Sequence, residues 1–245
     1  MGPACAMAGE HMFRSWWLAA GMAGLIVGAC GGGGGSRSYP LDLPDDGYDL
    51  EAMQLIDADM PERGLQLLVM DSFDNVEWAQ VFSQRRPEIE ASQKEIQLGA
   101  QGRVRGYLSV FTWDEPVEHL GRVQQIESHS VLYSDEDSAS RAMRQSACGL
   151  LIGDDKLLDE FSVPVIANEA TGFFNEETLD ILGKSIDTVV CFRTGRVLHA
   201  IVQNGLDGTQ DIDVSVALAK RMLVYIDAAF DGEPRPGAEA TTAEG

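Results

Sequence analysis

The histidines best placed for chemistry are His129 and His199, each inside a segment with the residue pattern of a β-strand. Together with Glu127 they could converge across a sheet as zinc ligands, because a zinc site needs three or four convergent side chains. Their positions lack the close ligand spacing of such sites, so we expect two hydrogen-bonded strand histidines and no metal. The alternative is a hydrolase, in which one of them would act with a carboxylate and a hydroxyl such as that of Ser130.

Cys148 and Cys191 could pair as a disulfide if the chain works in an oxidising compartment. The bridge would stabilise the fold by about 4 kcal/mol through the entropy of loop closure. If residues 135–151 form one straight helix, however, Cys148 points nearly opposite to the apolar face of that helix, whereas Cys191 lies in a buried strand. The pair forms only if the helix breaks near Gly149, so the sequence leaves the bridge open.

Cys30 could carry a lipid. It ends residues 12–30, MFRSWWLAAGMAGLIVGAC, in which Arg14 precedes an apolar run of 14 residues and small residues come directly before the cysteine. This order is typical of a bacterial lipoprotein export signal. A membrane-spanning helix needs about 20 apolar residues, so a transmembrane anchor fits less well; cleavage without lipidation would leave a free thiol. We predict a signal peptide over residues 1–29 and a palmitate-type lipid on Cys30, which would anchor the chain in the cell envelope, facing the periplasm or the exterior.

The charge of the chain excludes some partners. Asp and Glu number 39 against 18 Lys and Arg, which gives a formal net charge of −21. Such a surface repels phosphates, and this argues against nucleic-acid binding. It also repels anionic lipid headgroups, so that contact with a membrane must come from acyl chains.

The sequence contains none of the common catalytic motifs GxSxG, HExxH, CxxC or the phosphate-binding Walker loop. We therefore expect a non-enzymatic binding or accessory domain without a cofactor, which contacts another envelope protein or a small apolar or cationic ligand. The alternatives are the hydrolase and a calcium-binding envelope protein. Residues 45–51 carry clustered carboxylates of the kind that calcium prefers, but their spacing is not that of an EF-hand loop, which favours a solvated acidic linker.

Apolar periodicity and turn residues indicate one folded domain over residues 55–230. We expect a lipidated cysteine, a Gly-rich tether and an acidic linker over residues 30–54, and a disordered acidic tail over residues 231–245. Strands are predicted at residues 64–70, 102–113 and 124–133, within residues 161–174, and in a hairpin over residues 187–202 that turns at Thr194 and Gly195. Helices are predicted after the polar residues 71–75 and over residues 135–151 and 214–230.

Antiparallel strands separated by single helices indicate an α+β fold, a mostly antiparallel sheet with helices packed on it. Trp78, near a helix start, could line a ligand cavity between sheet and helices or belong to the core. The strand over residues 124–133 has two chemically different faces. One carries Ile126, Ser128, Ser130 and Leu132, and the other carries Glu127, His129, Val131 and Tyr133.

A resemblance to known proteins lies in LIDADMPERGLQLL (55–68), GRVRGYLSVF (102–111), IESHSVLYSDEDSASRAM (126–143) and, within residues 189–230, VVCFRTGRVLHAIVQNG and VALAKRMLVYIDAAF. In this order after the signal at Cys30, these stretches resemble a family of uncharacterised bacterial extracytoplasmic lipoproteins whose domain is similar to the PsbP-like α/β/α sandwich. The resemblance covers about residues 55–230 and implies that fold. It implies no catalytic residues, and it assigns no role to Cys148 and Cys191.

We predict that Cys30→Ser abolishes incorporation of labelled palmitate, because lipid transfer requires the thiol of the cysteine. Metabolic labelling followed by cell fractionation measures this, and Ser36→Ala, in the adjoining tether, should keep the label. An unaltered chain that stays unlabelled and in the cytoplasm would contradict the lipoprotein assignment.

Overall fold

The computed structural model describes residues 37–145, 148, 150, 159–179 and 182–237. The predicted signal peptide, Cys30 and residues 238–245 of the predicted tail lie outside the described residues. In chain order the helices and strands are β1 (Leu65–Phe73), α1 (Asn75–Arg85), α2 (Ala91–Ala100), β2 (Arg103–Trp113), β3 (Val123–Tyr133), α3 (Glu136–Gln145), β4 (Asp159–Phe161), β5 (Glu169–Leu179), β6 (Gly183–Thr194), β7 (Val197–Leu206) and α4 (Ile212–Asp231).

The strands form one sheet in the order β1-β2-β3-β7-β6-β5-β4, and every neighbouring pair is antiparallel. Helix α4 covers one face of this sheet, whereas α1 and α3 lie on the other and α2 packs against α1. The predicted α+β class, with helices packed on a mostly antiparallel sheet, is confirmed. None of the described helices is long and apolar enough to cross a membrane.

Strand β3 lies in the middle of the sheet and alternates as predicted. Ile126 and Leu132 belong to the core that packs against α4, and Val131 and Tyr133 belong to the core beneath α3. Because both faces of a central strand are covered, each of its polar side chains must find a partner inside the protein or face a cavity.

Helix α1 begins and ends where local chemistry requires it. Asp74 Oδ1 accepts a hydrogen bond from Glu77 N at 2.8 Å, and Glu77 Oε2 accepts one from Asp74 N at 3.0 Å, which forms a reciprocal capping box. The helix ends two residues before Pro87, because the residue before a proline is disfavoured in helical conformation. Helix α2 then starts separately.

The predicted hairpin is present, but its turn lies one residue later than predicted. Thr194 still pairs with Val197, so the turn consists of Gly195 and Arg196. Gly195 has φ +58, which glycine adopts at no steric cost, and two-residue hairpin turns require such angles.

The acidic linker predicted over residues 30–54 is wrong for its second half, which folds into the domain. Tyr48, Leu50 and Met53 are each at most 1% exposed and pack in the core beneath α4. Their apolar side chains are interspersed with carboxylates that face solvent, and this acidic composition hides the apolar pattern. The domain therefore begins by Tyr39, which is itself buried.

Arg196, in the hairpin turn, holds this N-terminal segment in place. Its Nε donates to Tyr48 Oη at 3.0 Å and its Nη2 donates to the Leu43 carbonyl at 3.1 Å. Its Nη1 donates to the Ser134 carbonyl at 3.0 Å, and Asp45 completes an ion pair. One buried guanidinium thus ties residues that lie far apart in the sequence.

Gln54 joins the same segment to strand β3. Its Nε2 donates to Ser130 Oγ and to the Leu50 carbonyl, each at 2.9 Å, and its Oε1 accepts from Ser128 Oγ at 2.9 Å. Ser128 Oγ also accepts from Leu55 N at 3.3 Å. Since Gln54 is fully buried, these hydrogen bonds replace water for both serines.

The start of the predicted disordered tail packs on the domain. Arg235 donates from Nη2 to the Glu51 carbonyl at 2.7 Å and from Nε to the Ala52 carbonyl at 3.2 Å. Its guanidinium lies 5.3 Å from the ring centroid of Tyr225 in α4. The prediction of disorder over residues 231–245 is therefore corrected for residues 231–235.

We predict that Gln54→Ala lowers the free energy of unfolding by about 3 kcal/mol, because it removes one hydrogen-bond partner from each of two buried hydroxyls, leaves the Leu50 carbonyl without the Gln54 donor and opens a cavity. Urea denaturation measures the change. Gln84→Ala, at an exposed position of α1, is the matched control and should change stability by at most about 0.5 kcal/mol. Equal stabilities for the two variants would contradict the role given to Gln54.

Candidate functional site

The face of the sheet that carries α1 and α3 holds an open groove of about 590 Å³. Strands β1 to β3 and β5 to β7 contribute to it, and α1 forms one wall. Its apolar lining includes Val69, Trp78, Leu108, Val110 and Val202. A groove of this size can hold a small organic molecule.

Glu127 lies on the floor of the groove between two valines. Strand register pairs it with Val110 on β2 and with Val202 on β7. Its side chain is 17% exposed, so a carboxylate is held in a mostly apolar setting with partial access to solvent. Carboxylates in such settings are stabilised by hydrogen bonds and opposite charges.

The neighbours of Glu127 on the same face of β3 supply part of that stabilisation. His129 Nε2 lies 2.6 Å from Glu127 Oε2, and Gln125 Nε2 donates to Glu127 Oε1. The ring of Trp78 meets His129 edge-on, with centroids 6.1 Å apart. The carboxylate therefore fixes the orientation of the imidazole, and the pair faces the groove as a polar unit.

A second set of hydrogen-bonded polar side chains, on β5, β6 and β7, also lines the groove. Asp187 Oδ2 accepts from Asn175 Nδ2 at 2.8 Å, and Asp187 Oδ1 accepts from Asn204 Nδ2 at 2.6 Å. Asn175 is 5% exposed, and its Oδ1 has no hydrogen-bond partner among the described residues. Sequence reasoning missed these residues, because only the register of the three strands brings them together.

The lining of the groove is acidic. Among the described residues it includes the carboxylates of Glu127, Glu177 and Asp187 and the guanidinium of Arg86, which pairs with Glu88.

Arg103, on β2, contacts α1 and helps to position it as the wall of the groove. Its guanidinium lies 5.4 Å from the ring centroid of Trp78, and its Nη1 donates to Asn75 Oδ1 at 2.7 Å. Asn75 Nδ2 donates in return to the Arg103 carbonyl at 2.8 Å. Burial lowers the pKa of Arg103 to about 10, which leaves it charged at neutral pH. Gly106 provides the space, because a Cβ there would lie 2.8 Å from Arg103 Nη2.

His199 is fully buried on the opposite face of the sheet from His129. Its Nδ1 lies 2.9 Å from Ser130 Oγ, and its Nε2 lies 2.8 Å from Thr194 Oγ1. Ser130 Oγ also accepts from Gln54 Nε2, so both ring nitrogens of His199 have hydroxyl partners inside the protein. Burial lowers the pKa of His199 to about 3, so the ring is neutral in its folded setting.

The structure does not bring His129 and His199 together, so the zinc arrangement considered from the sequence does not form. The residues of the hydrolase arrangement also lie on different faces of the sheet. Glu127 and His129 contact each other in the groove, whereas the Ser130 hydroxyl is hydrogen-bonded to His199 on the α4 face. Among the described residues no group of three His, Cys, Asp or Glu could hold a metal ion. Asp45, in the acidic stretch considered for calcium, is paired with Arg196.

Cys148 and Cys191 are joined by a disulfide, with their Cα atoms 6.2 Å apart. The helix predicted over residues 135–151 is wrong in its length: α3 ends at Gln145, and Cys148 has φ 66, a left-handed conformation that does not continue the helix. A bridge across 43 residues stabilises by about 4 kcal/mol through loop entropy. Cys148 and Cys191 lie in the same core cluster as Leu150, which also lines the groove.

We predict that stability falls by about 1.4 kcal/mol from about pH 7.5 to about pH 5.5, because the unfolded chain protonates His199 near its ordinary pKa whereas the folded chain does not. The folded pKa is depressed, so this contribution is complete above about pH 6.5 and is lost as the pH falls toward 3. Urea denaturation at the two pH values measures it. His199→Gln should remove the slope and His119→Gln should keep it; an unchanged slope in His199→Gln would contradict the prediction.

No family model and no curated protein sequence matches the chain. Among solved structures, the extracellular domain of PknH from Mycobacterium tuberculosis is similar to it, with a TM-score of 0.46 and 11% sequence identity. The match covers 79% of this chain and 99% of that chain. A similarity at this level carries no information about a ligand or an activity.

Proposed function

We propose that this chain is a lipid-anchored extracytoplasmic domain that binds a small ligand in the groove on the α1 face and does not catalyse a reaction. The observation that carries the proposal is the orphan acceptor of Asn175, a buried Oδ1 in the lining of an open groove. A buried acceptor without a donor costs about 1–3 kcal/mol. A bound ligand with a hydrogen-bond donor would remove that cost.

The orphan atom distinguishes the groove from the rest of the domain. Buried side-chain atoms without a partner also occur at Ser83, Arg103, Ser109, Thr188 and Gln210 of the described residues. None of these lines the groove, whereas Asn175 does. The residue with the unsatisfied acceptor is thus part of the lining of the groove.

The division of polar groups between the two faces favours binding over hydrolysis. A hydrolase of the kind considered from the sequence needs a nucleophile beside the base. The groove offers His129 and Glu127, but Ser130 is committed to Gln54 and His199 on the closed face. Binding requires only an apolar wall and a few oriented polar groups, and the groove supplies both.

The location proposed for the domain rests on the sequence around Cys30. The small residues before this cysteine and the apolar run ahead of it support lipid attachment. The net charge of −21 supports anchoring through acyl chains rather than through a basic surface.

We predict that filling the groove abolishes binding of small probes. Phenylethylamine, phenylethanol and phenylpropanoate, which share a phenyl ring and differ in their polar group, are titrated by calorimetry into the full chain and into Val110→Trp. At least one probe should bind the unaltered chain saturably, and the indole at position 110 should block it, because Val110 lines the groove.

Thermal melting shows whether Val110→Trp is folded, and Val81→Trp places an indole on the α1 wall as a second blocking variant. Val224→Trp, at an exposed position of α4 behind the sheet, is the matched control and should bind like the unaltered chain. Absence of binding by all three probes, or equal binding by the blocked variants, would contradict the proposed function.

A further inference from the structure

We infer that the outer edge of strand β1 binds an extended peptide segment of another protein, apolar at its centre and flanked by Lys or Arg. The segment would add to the sheet as a further strand beside Val69–Phe73. This interaction goes beyond the small ligand proposed for the groove. Three observations support it: the exposed apolar side chains of the edge, its open backbone and the charge around it.

The two edges of the sheet differ in how they are protected. Strand order places β4 at one edge and β1 at the other. Strand β4 has three residues, of which Asp159 and Glu160 are exposed carboxylates. Short and charged edge strands resist pairing with other chains. Strand β1 has nine residues and contains neither lysine nor proline, so it lacks these means of protection.

The most exposed apolar side chains of β1 are neighbours in the sequence. Leu68 is 65% exposed, Leu67 is 39% exposed and Val69 is 38% exposed. They lie where the register with β2 shifts between Leu67 and Val69, and such a bulge interrupts pairing locally. The five residues from Val69 to Phe73 then pair regularly with β2. A stretch of this length is enough to pair with a short added strand.

The backbone of β1 is open beyond the bulge. Before it, Leu67 N donates to Asp57 Oδ1 at 2.7 Å, so this part of the edge is covered. Besides the pairing with β2, residues Val69–Ser72 make one backbone hydrogen bond to a described residue, from Ser72 N to Asp71 Oδ1 at 2.8 Å. The outward N–H and C=O groups of an edge strand can form a ladder with an extended peptide.

The charge around this edge favours a basic partner. Residues 56–78 contain six Asp or Glu and one Arg. Next to β1, the pKa of Tyr107 on β2 is raised by burial and by the carboxylates of Glu51, Asp71 and Asp49, which therefore lie close to one ring. None of these three carboxylates forms an ion pair with a described residue. Lys or Arg at the ends of an added strand would be attracted to them.

The same charge argues against the other occupants of the edge. Two copies of the chain would each bring a net charge of −21, and like charges of this size oppose pairing. The C-terminal residues 238–245 contain two glutamates and no basic residue, so the same repulsion applies to them. A basic extended segment of another protein is the occupant that the charge favours.

The test uses fluorescein-labelled peptides and the full chain, and it measures binding by fluorescence anisotropy. The peptide KKTVTVTVTKK has apolar side chains at alternate positions and basic ends. Its proline analogue KKTPTPTPTKK keeps the charge but lacks amide hydrogens for pairing, and EETVTVTVTEE reverses the charge of the ends. The first peptide should bind saturably and about tenfold more tightly than either analogue, because it alone combines strand pairing with charge attraction.

Two variants locate the binding site. Asp71→Lys reverses a charge on the edge, and Leu68→Ser removes an exposed apolar side chain. Each should weaken binding of the first peptide by about fivefold. Asp159→Lys reverses an exposed charge on β4 at the opposite edge, and this matched control should bind like the unaltered chain. Thermal melting shows whether each variant is folded.

Three outcomes would overturn the inference. Equal affinities of the first peptide and its proline analogue would show attraction by charge without strand pairing. Unchanged binding by both Asp71→Lys and Leu68→Ser would place the peptide elsewhere. A dimer of the unaltered chain in sedimentation equilibrium that Leu68→Ser dissociates would assign the edge to self-association. These measurements do not involve the small probes titrated into Val110→Trp, so this inference and the proposed function can fail separately.

Discussion

The structure depends on how strand β3 accommodates polar side chains on both of its faces. A central strand packed between helices has little access to bulk water, so every polar group must be paired or must face a cavity. Ser128 and Ser130 point to the α4 face, where Gln54 and His199 satisfy them. Glu127 and His129 point to the other face, which stays open as the groove. One closed face and one open face thus arise from the alternation of a single strand.

The closed face explains why the acidic N-terminal segment folds. Gln54 supplies the hydrogen bonds that the serines of β3 need, and Arg196 holds the backbone of the segment from the other side. Arg103 and Arg193 are also less than 9% exposed, so several of the 18 basic residues lie inside the protein. Their charges stabilise carbonyl groups and carboxylates within the fold. The outer surface is left with a still larger excess of negative charge.

Local patterns predicted those parts of the fold in which sequence neighbours determine the structure. The alternation of β3 placed Glu127 and His129 on one face, and the Asp74 region was recognised as a helix start. The core residues of the N-terminal segment were missed, because Tyr48, Leu50 and Met53 are embedded among carboxylates. A cavity beside Trp78 was one of two options considered from the sequence, and Trp78 does line the groove, but the polar end of the groove could not be predicted. That polar end depends on the register between β5, β6 and β7, which brings together residues far apart in the sequence.

The most direct test of the groove as the binding site is an NMR titration of the full chain with the small probe that binds in calorimetry, followed through backbone amide shifts. The account predicts saturable shifts that concentrate on β2 and β3 around Val110 and Glu127, with α4 unaffected. Shifts that concentrate on α4, or that spread evenly over the surface without saturating, would contradict it.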